Sequence, residues 1–161
     1  MPRLFLPLYL MALLLAPLSV LAADEIRFTS SAEVELRETN AKGETVLVRK
    51  PADKVPPGGI VIMVNAFTNL GKTPKEKLVI TNPVPKDTEY VAGSAEGIDS
   101  TVVFSVDGGK NFAPAAELFI TDAKGSKRPA QAKDYTHIRW TITPPLKPGS
   151  TGLVEFRVRV K

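Results

Sequence analysis

The fold is indicated first by the stretch Leu153-Val154-Glu155-Phe156-Arg157-Val158-Arg159-Val160-Lys161. Valine or phenylalanine takes every second position, and a charged side chain takes the positions between them. This period of two predicts a β-strand with one buried face and one wet face. Residues 137–143 alternate in the same way, with Trp140 on the apolar side. Because a connection rich in proline and glycine joins the two segments, we expect them to form an antiparallel pair.

Elsewhere in the chain, short runs of β-branched and aromatic residues are separated by prolines and glycines, which interrupt regular structure. No stretch after residue 25 has the pattern of a helix. Asp107-Gly108-Gly109 is typical of a hairpin turn. We predict nine strands, and the pattern favours an all-β sandwich or barrel. The predicted strands are 26–36, 44–49, 60–67, 77–81, 89–92, 102–106, 117–121, 137–143 and 153–161.

The predicted strand 60–67 is apolar on nearly every residue, whereas a strand under a second sheet needs only one apolar face. Two interpretations stay open. Loops or neighbouring strands cover Val61, Met63 and Phe67, or these side chains form an exposed face that binds a partner.

The N-terminal segment has the layout of a secretory signal peptide, with one cation at Arg3, an apolar run and small residues. We predict residues 1–22 as the signal, with cleavage after Ala22 and Ala23 as the alternative. An uncleaved membrane anchor is the competing interpretation. We therefore predict an exported protein, located in the periplasm or outside the cell of a Gram-negative bacterium. Residues 23–161 are predicted to form one domain, and no membrane span is expected after cleavage.

The amino-acid composition excludes several kinds of site and partner. The chain has no cysteine, which excludes disulfides, thiol catalysis, thiolate metal sites and a lipid anchor on cysteine. The 21 basic and 17 acidic residues give a net charge of +4. This mild excess is spread along the chain, so it does not indicate a nucleic-acid-binding protein.

Residues 55–94 carry turn and strand motifs in a distinctive order. They are Val55-Pro56-Pro57-Gly58-Gly59, Asn69-Leu70-Gly71, Leu78-Val79-Ile80-Thr81-Asn82-Pro83-Val84-Pro85 and Glu89-Tyr90-Val91-Ala92-Gly93-Ser94. This order resembles the bacterial DUF11 family of secreted and cell-surface domains. The resemblance implies an immunoglobulin-like, two-sheet antiparallel β-sandwich of seven to nine strands. Gly59 departs from the family, which commonly has an acidic residue there, and Val84 stands where leucine is commoner.

Two of these motifs allow local predictions. Asn69 is expected to bond its own backbone while Gly71 takes a left-handed conformation. Tyr90 is expected to be a core aromatic whose hydroxyl finds a backbone partner. Motifs of this kind concern the fold and do not indicate an activity.

A search for catalytic and metal-binding patterns gives a negative prediction. His137 is the only histidine, and it is expected on the outward face of a strand, where nothing orients its ring as a base. One histidine without cysteine does not make a zinc site. Asp107 to Asn111 is only faintly similar to a calcium loop, and the polar loop 122–134 is expected to be solvated. We therefore predict no enzyme, no cofactor and no metal.

One group of cations could carry binding. If the last two strands pair, their outward side chains line one sheet surface. Either nearby glutamates such as Glu33, Glu35 and Glu155 neutralise this basic face by cross-strand pairs, or it binds an anionic ligand such as a surface polysaccharide. The predicted function is a structural or protein-interaction module of the envelope, and the alternative is a carbohydrate- or anion-binding module. The residues of the basic face are His137, Arg139, Arg157, Arg159 and Lys161.

Overall fold

The structure is a computed structural model, and it describes residues 25–161. The predicted signal peptide lies outside the described residues. Within residues 25–161, no helix is long and apolar enough to cross a membrane.

The regular structure of the described chain is almost entirely β-strand, and the only helices among these residues are two single-turn 3₁₀ helices at Ala115–Glu117 and Ala132–Asp134. All nine predicted segments contain a strand. The strands are β1 (Ile26–Thr39), β2 (Thr45–Pro51), β3 (Ile60–Asn69), β4 (Val79–Pro83), β5 (Thr88–Tyr90), β6 (Glu96–Gly97), β7 (Ser100–Ser105), β8 (Phe119–Thr121), β9 (Lys127–Pro129), β10 (His137–Ile142) and β11 (Thr151–Val160).

The strands form two antiparallel sheets and a small ribbon. The large sheet has the order β2-β1-β3-β11-β5, with β6 also paired to β11. The small sheet has the order β4-β10-β7, and β8 pairs with β9. The prediction of an all-β, sandwich-like fold is confirmed. The sequence did not indicate β6 or β9, because one has only two residues and the other lies in the polar segment that was expected to be a solvated loop.

The predicted pairing of the two C-terminal strands is wrong. β10 lies in the small sheet between β4 and β7, and β11 lies in the large sheet between β3 and β5. Each strand has one apolar face, and these faces meet across the core instead of lying side by side. The rings of Trp140 and Phe156 are 5.9 Å apart between centroids. The connection between the strands therefore crosses from one sheet to the other.

The core lies between the sheets, as the alternation of both strands predicts. Ile138, Trp140 and Ile142 are buried on β10. Val154, Phe156 and Val158 are buried on β11 and belong to the same cluster. Burial of this apolar surface is the main contribution that stabilises the fold.

The two local motif predictions have different outcomes. The amide of Gly71 donates to Asn69 Oδ1 at 2.9 Å, so the predicted turn forms. Gly71 does not take the predicted left-handed conformation. Its lack of a side chain instead admits Glu25, whose carboxylate fills the space that a Cβ at this position would need. Tyr90 is buried and its hydroxyl accepts a hydrogen bond from the amide of Ala95 at 3.0 Å, as predicted.

Candidate functional site

The predicted basic face is divided between two sheets. His137 and Arg139 lie on β10 of the small sheet, whereas Arg157 and Arg159 lie on β11 of the large sheet. Lys161 follows β11 and is exposed. Because β10 and β11 do not pair, these five residues do not form one surface. The prediction of a shared face depended on that pairing and is corrected with it.

The two cations on the small sheet are held by local contacts. Arg139 Nε donates to Thr81 Oγ1 at 3.0 Å, and its guanidinium carbon lies 3.6 Å from the ring centroid of Phe112. Both contacts fix the side chain along the sheet. His137 is half-buried beneath Gly109, where a Cβ would lie 3.2 Å from the imidazole ring.

The outer face of the large sheet carries an ion-pair network centred on Arg49 of β2. Arg49 Nη1 and Nη2 donate to the two carboxylate oxygens of Glu155, at 2.7 and 2.9 Å. Glu35 and Glu33 lie farther from the same guanidinium, at 3.6 and 3.9 Å. Arg157 approaches Glu35 at 3.4 Å and Glu96 at 3.5 Å. The interpretation in which glutamates neutralise the outward arginines therefore describes Arg157.

Burial makes the Arg49–Glu155 pair the strongest interaction of this network. Glu155 is only 6% exposed although its position in the alternation predicts an outward side chain. The two hydrogen bonds from Arg49 lower the pKa of Glu155 below its usual value of 4.5, and the bond to Glu155 raises the pKa of Arg49. A buried carboxylate needs such a partner, since an unpaired charge is costly to remove from water.

The proposed apolar face is part of the core. Val61 and Phe67 are buried in the core cluster, and Met63 packs against it. These side chains point toward the small sheet, so they do not form an exposed surface. Of the two interpretations that the sequence left open, coverage by neighbouring strands is correct, and an exposed partner face of Val61, Met63 and Phe67 is not formed.

The other face of β3 explains why the strand is apolar throughout. Ile62 lies between Glu33 and Arg157 on the neighbouring strands, and Val64 lies between Ser31 and Glu155. Both are buried although they do not belong to the core cluster. Their burial is explained by the stems of the long side chains that the ion pairs hold over this face.

Two concavities of the described residues contain no assembled nucleophile and base. One, of about 550 Å³, is lined by Glu96, Glu155 and Ser100 among others. Both carboxylates pair with arginines, and Ser100 donates to the carbonyl of Gly97 at 3.1 Å. A second cleft, of about 300 Å³, is mainly apolar and includes Tyr90, Phe104 and Tyr135.

The titratable groups at the turns have structural partners. Burial raises the pKa of Tyr135 in the apolar cleft. The pKa of Asp107 is lowered by hydrogen bonds from Asn111 and Ser105, which close the predicted turn. Within residues 25–161, no three histidine, aspartate or glutamate side chains are placed to hold a metal ion.

A different feature leaves apolar surface and backbone groups without partners. Pairing of β1 with β3 ends at Glu33, so residues 34–39 of β1 pair with β2 alone. We call this two-stranded part, residues 34–39 and β2, the edge hairpin. Leu36 on one face is 43% exposed and Leu47 on the other is 65% exposed. A two-stranded ribbon with apolar side chains on both faces is only marginally stable in water unless something packs on it.

The free edge of the edge hairpin is well defined. At one end of the hairpin the backbone amide of Asn40 donates to the carbonyl of Glu44, and at the other end the amide of Ala52 donates to the carbonyl of Ala32, both at 2.9 Å. Since bonded pairs alternate in an antiparallel ladder, these two bonds fix which residues of β2 bond to β1. The amide and carbonyl groups left facing the open edge belong to Thr45, Leu47 and Arg49.

Sequence reasoning did not single out the edge hairpin. Ala32 packs against the core, whereas Leu36, four residues later on the same face of β1, is exposed. The available signal was the run Val46-Leu47-Val48, which is apolar at three successive positions and so places apolar side chains on both faces of an edge.

The comparisons with known proteins assign no family: no protein-family model matches the chain, and no curated relative of it is found.

Proposed function

We propose that this chain is a non-enzymatic, exported module of the bacterial envelope that binds another protein through the open edge of β2. The observation that carries the proposal is the edge hairpin. It combines unpaired backbone groups with exposed leucines on both faces. An edge of this kind is the surface to which an extended strand of another chain adds.

The arrangement of the other polar groups favours interaction over catalysis. In the described part of the chain, the carboxylates that line the 550 Å³ concavity are held by arginines, and the histidine lies on the opposite sheet. Acid–base catalysis needs such groups in reach of one substrate.

Exported location and an immunoglobulin-like topology are part of the same proposal. The signal-like segment at residues 1–22 supports export. The resemblance of residues 55–94 to the DUF11 family supports an immunoglobulin-like sandwich at the cell surface or in the periplasm. Two antiparallel sheets that face each other across one core are compatible with that topology.

The alternative of a carbohydrate- or anion-binding module has less support. It needs free cations on one surface, whereas Arg157 is engaged by two glutamates and Arg139 by Phe112 and Thr81. Arg159 donates to the carbonyl of Gly58 at 3.1 Å. Only if charge reversal of Arg157 and Arg159 abolished retention on an anionic glycan resin would this alternative be preferred.

The proposal is tested with a photo-crosslinking amino acid at Leu47 in the full chain, expressed in intact cells. We expect a covalent protein adduct, because this side chain lies on the open edge and is exposed. The matched control is the same amino acid at Ile98, which is 75% exposed and lies between β6 and β7. Absence of an adduct at Leu47, or equal adducts at both positions, would contradict the proposal.

A further inference from the structure

We infer that the partner of the β2 edge is a second copy of this chain. Two copies would pair through β2 in antiparallel orientation, with a two-fold axis at Leu47, so that their large sheets join into one. This inference rests on the proposed function and adds the identity of the partner. The backbone phase, the side-chain register and the charges of β2 all fit this pairing.

The backbone of β2 fits this symmetry. Leu47 presents its amide and carbonyl to the open edge, so it can exchange two hydrogen bonds with Leu47 of the second copy. Thr45 and Arg49 also present their amide and carbonyl groups to the open edge, and in this register Thr45 of each copy lies opposite Arg49 of the other. The paired strands would share about six backbone hydrogen bonds. Pro51 has no amide to donate, which ends the pairing at the end of β2.

The apolar side chains match in the same register. Leu47, the most exposed apolar side chain of the edge hairpin, packs beside its own copy. On the other face, Val46 lies opposite Val48 of the second copy, and Leu36 already lies opposite Val48 within the hairpin. Cross-strand aliphatic neighbours of this kind stabilise a sheet. The pairing would give Leu47 an aliphatic neighbour and would extend the row of Leu36 and Val48 by Val46 of the second copy.

The charges select this register over its neighbours. With the axis at Leu47, Glu44 of each copy lies opposite Lys50 of the other. An axis at Val46 would bring Lys50 toward Lys42 in the turn before β2, where it meets a like charge instead of Glu44. An axis at Val48 would place Lys50 opposite Val46, with no carboxylate to meet it. Charge complementarity therefore points to a second copy in one specific register.

The cations of β2 do not block the edge. Charged side chains on an edge strand commonly prevent pairing. Here Arg49 is drawn back over its own sheet to Glu155, and Lys50 lies between Glu38 of its own chain and the position of Glu44 of the second copy, so that neither cation faces a like charge. Three other edge strands among the described residues are less suitable, because β5 has only three residues, β4 ends in a proline, and the outer edge of β7 is already bonded at Phe104 by Ala113.

The first test is the mass of the processed protein by sedimentation equilibrium over a concentration series. We expect a reversible dimer. Leu47→Lys places two lysines side by side at the axis, and we expect it to weaken dimerisation at least about tenfold. Ile98→Lys is the matched control, since it also replaces an exposed aliphatic residue with lysine, and it should leave the dimer unchanged. A wild-type protein that stays monomeric overturns the inference.

A charge exchange tests the register itself. Glu44→Lys places the new lysine of each copy opposite Lys50 of the other, so we expect about tenfold weaker dimerisation. The double variant Glu44→Lys/Lys50→Glu restores opposite charges and should restore the dimer. Far-UV circular dichroism of each variant shows that the monomer is folded. If the double variant dimerises no better than the single variant, the proposed register is wrong.

The crosslinking adduct at Leu47 separates the two proposals. An adduct with twice the mass of the processed chain supports self-pairing. An adduct that contains a different protein supports the proposed interaction function and overturns the second copy as partner. If no adduct forms at Leu47, both proposals fail.

Discussion

Among single residues, Glu155 is the clearest case of a side chain whose burial and pKa depend on a partner far away in the chain. It is buried on the outer face of the large sheet because Arg49 binds both of its oxygens. The two residues are 106 positions apart in the chain. Their pair joins the edge strand β2 to β11 across two intervening strands.

This pair is expected to make stability depend on pH. The Arg49 bonds lower the folded-state pKa of Glu155 below its usual value of 4.5. On acidification the unfolded chain therefore takes up the proton first, and stability present above about pH 5 is lost as the pH falls through the folded-state pKa. The free energy of unfolding, measured in urea from pH 7 to pH 3, should fall less steeply in Glu155→Gln than in the wild type. Equal slopes would contradict this assignment.

The free energy of unfolding at neutral pH is also measured for Arg49→Ala, with Arg159→Ala as its matched control. Removal of Arg49 leaves the Glu155 carboxylate buried without its partner, which we expect to cost about 2 kcal/mol at neutral pH. The cost is below that of a fully buried pair because the side chain of Arg49 is partly exposed. Arg159 donates a single side-chain hydrogen bond within the described chain, to the carbonyl of Gly58, and its removal should cost less than about 1 kcal/mol.

At the scale of elements, β3 is the centre of the large sheet and is covered on both faces by different means. One face packs on the core through Val61 and Phe67. The other is covered by ion-paired side chains over Ile62 and Val64. Because both faces are covered, the first half of β3 is apolar at every position instead of alternating between apolar and polar residues.

The outer face of β3 is therefore expected to contribute to stability as a core position does. Ile62 is 1% exposed, so Ile62→Ala should lower the free energy of unfolding by about 3 kcal/mol. Val79→Ala on the exposed face of β4 is the control, with an expected change below about 0.5 kcal/mol. A loss at Ile62 as small as that at Val79 would mean that the ion pairs do not shield this face from water.

At the scale of the whole molecule, the two sheets have unequal size. Six strands form the large sheet, whereas three form the small one. The small sheet does not extend over the edge hairpin, whose valines and leucines are absent from the core cluster. The exposed edge thus follows from the mismatch between the sheets.

The packing of the sheets on each other predicts cooperative unfolding. Trp140 is the single tryptophan and is completely buried between the sheets, next to Phe156. Its fluorescence reports separation of the sheets, and far-UV circular dichroism reports loss of the strands. In urea the two signals should change together, as for a two-state domain. A fluorescence change at lower urea than the dichroism change would show that the sheets separate while their strands persist.

Local sequence patterns predicted nine of the eleven strands of the described chain and the direction of most of their side chains. The alternation in β10 and β11 placed Trp140 and Phe156 in the core, and Asn69 and Tyr90 formed the predicted local contacts. Steric and hydrogen-bond preferences of this kind act over a few residues, so they can be read locally.

Which strands are neighbours could not be predicted from these local patterns. Alternation shows that a face is buried but not what buries it, so it could not place β10 and β11 in opposite sheets. The same limit applies to Glu155, whose partner comes from β2, and to Leu47, which is exposed because the small sheet does not reach the edge hairpin. These outcomes depend on contacts between residues far apart in the chain, which a local pattern does not contain.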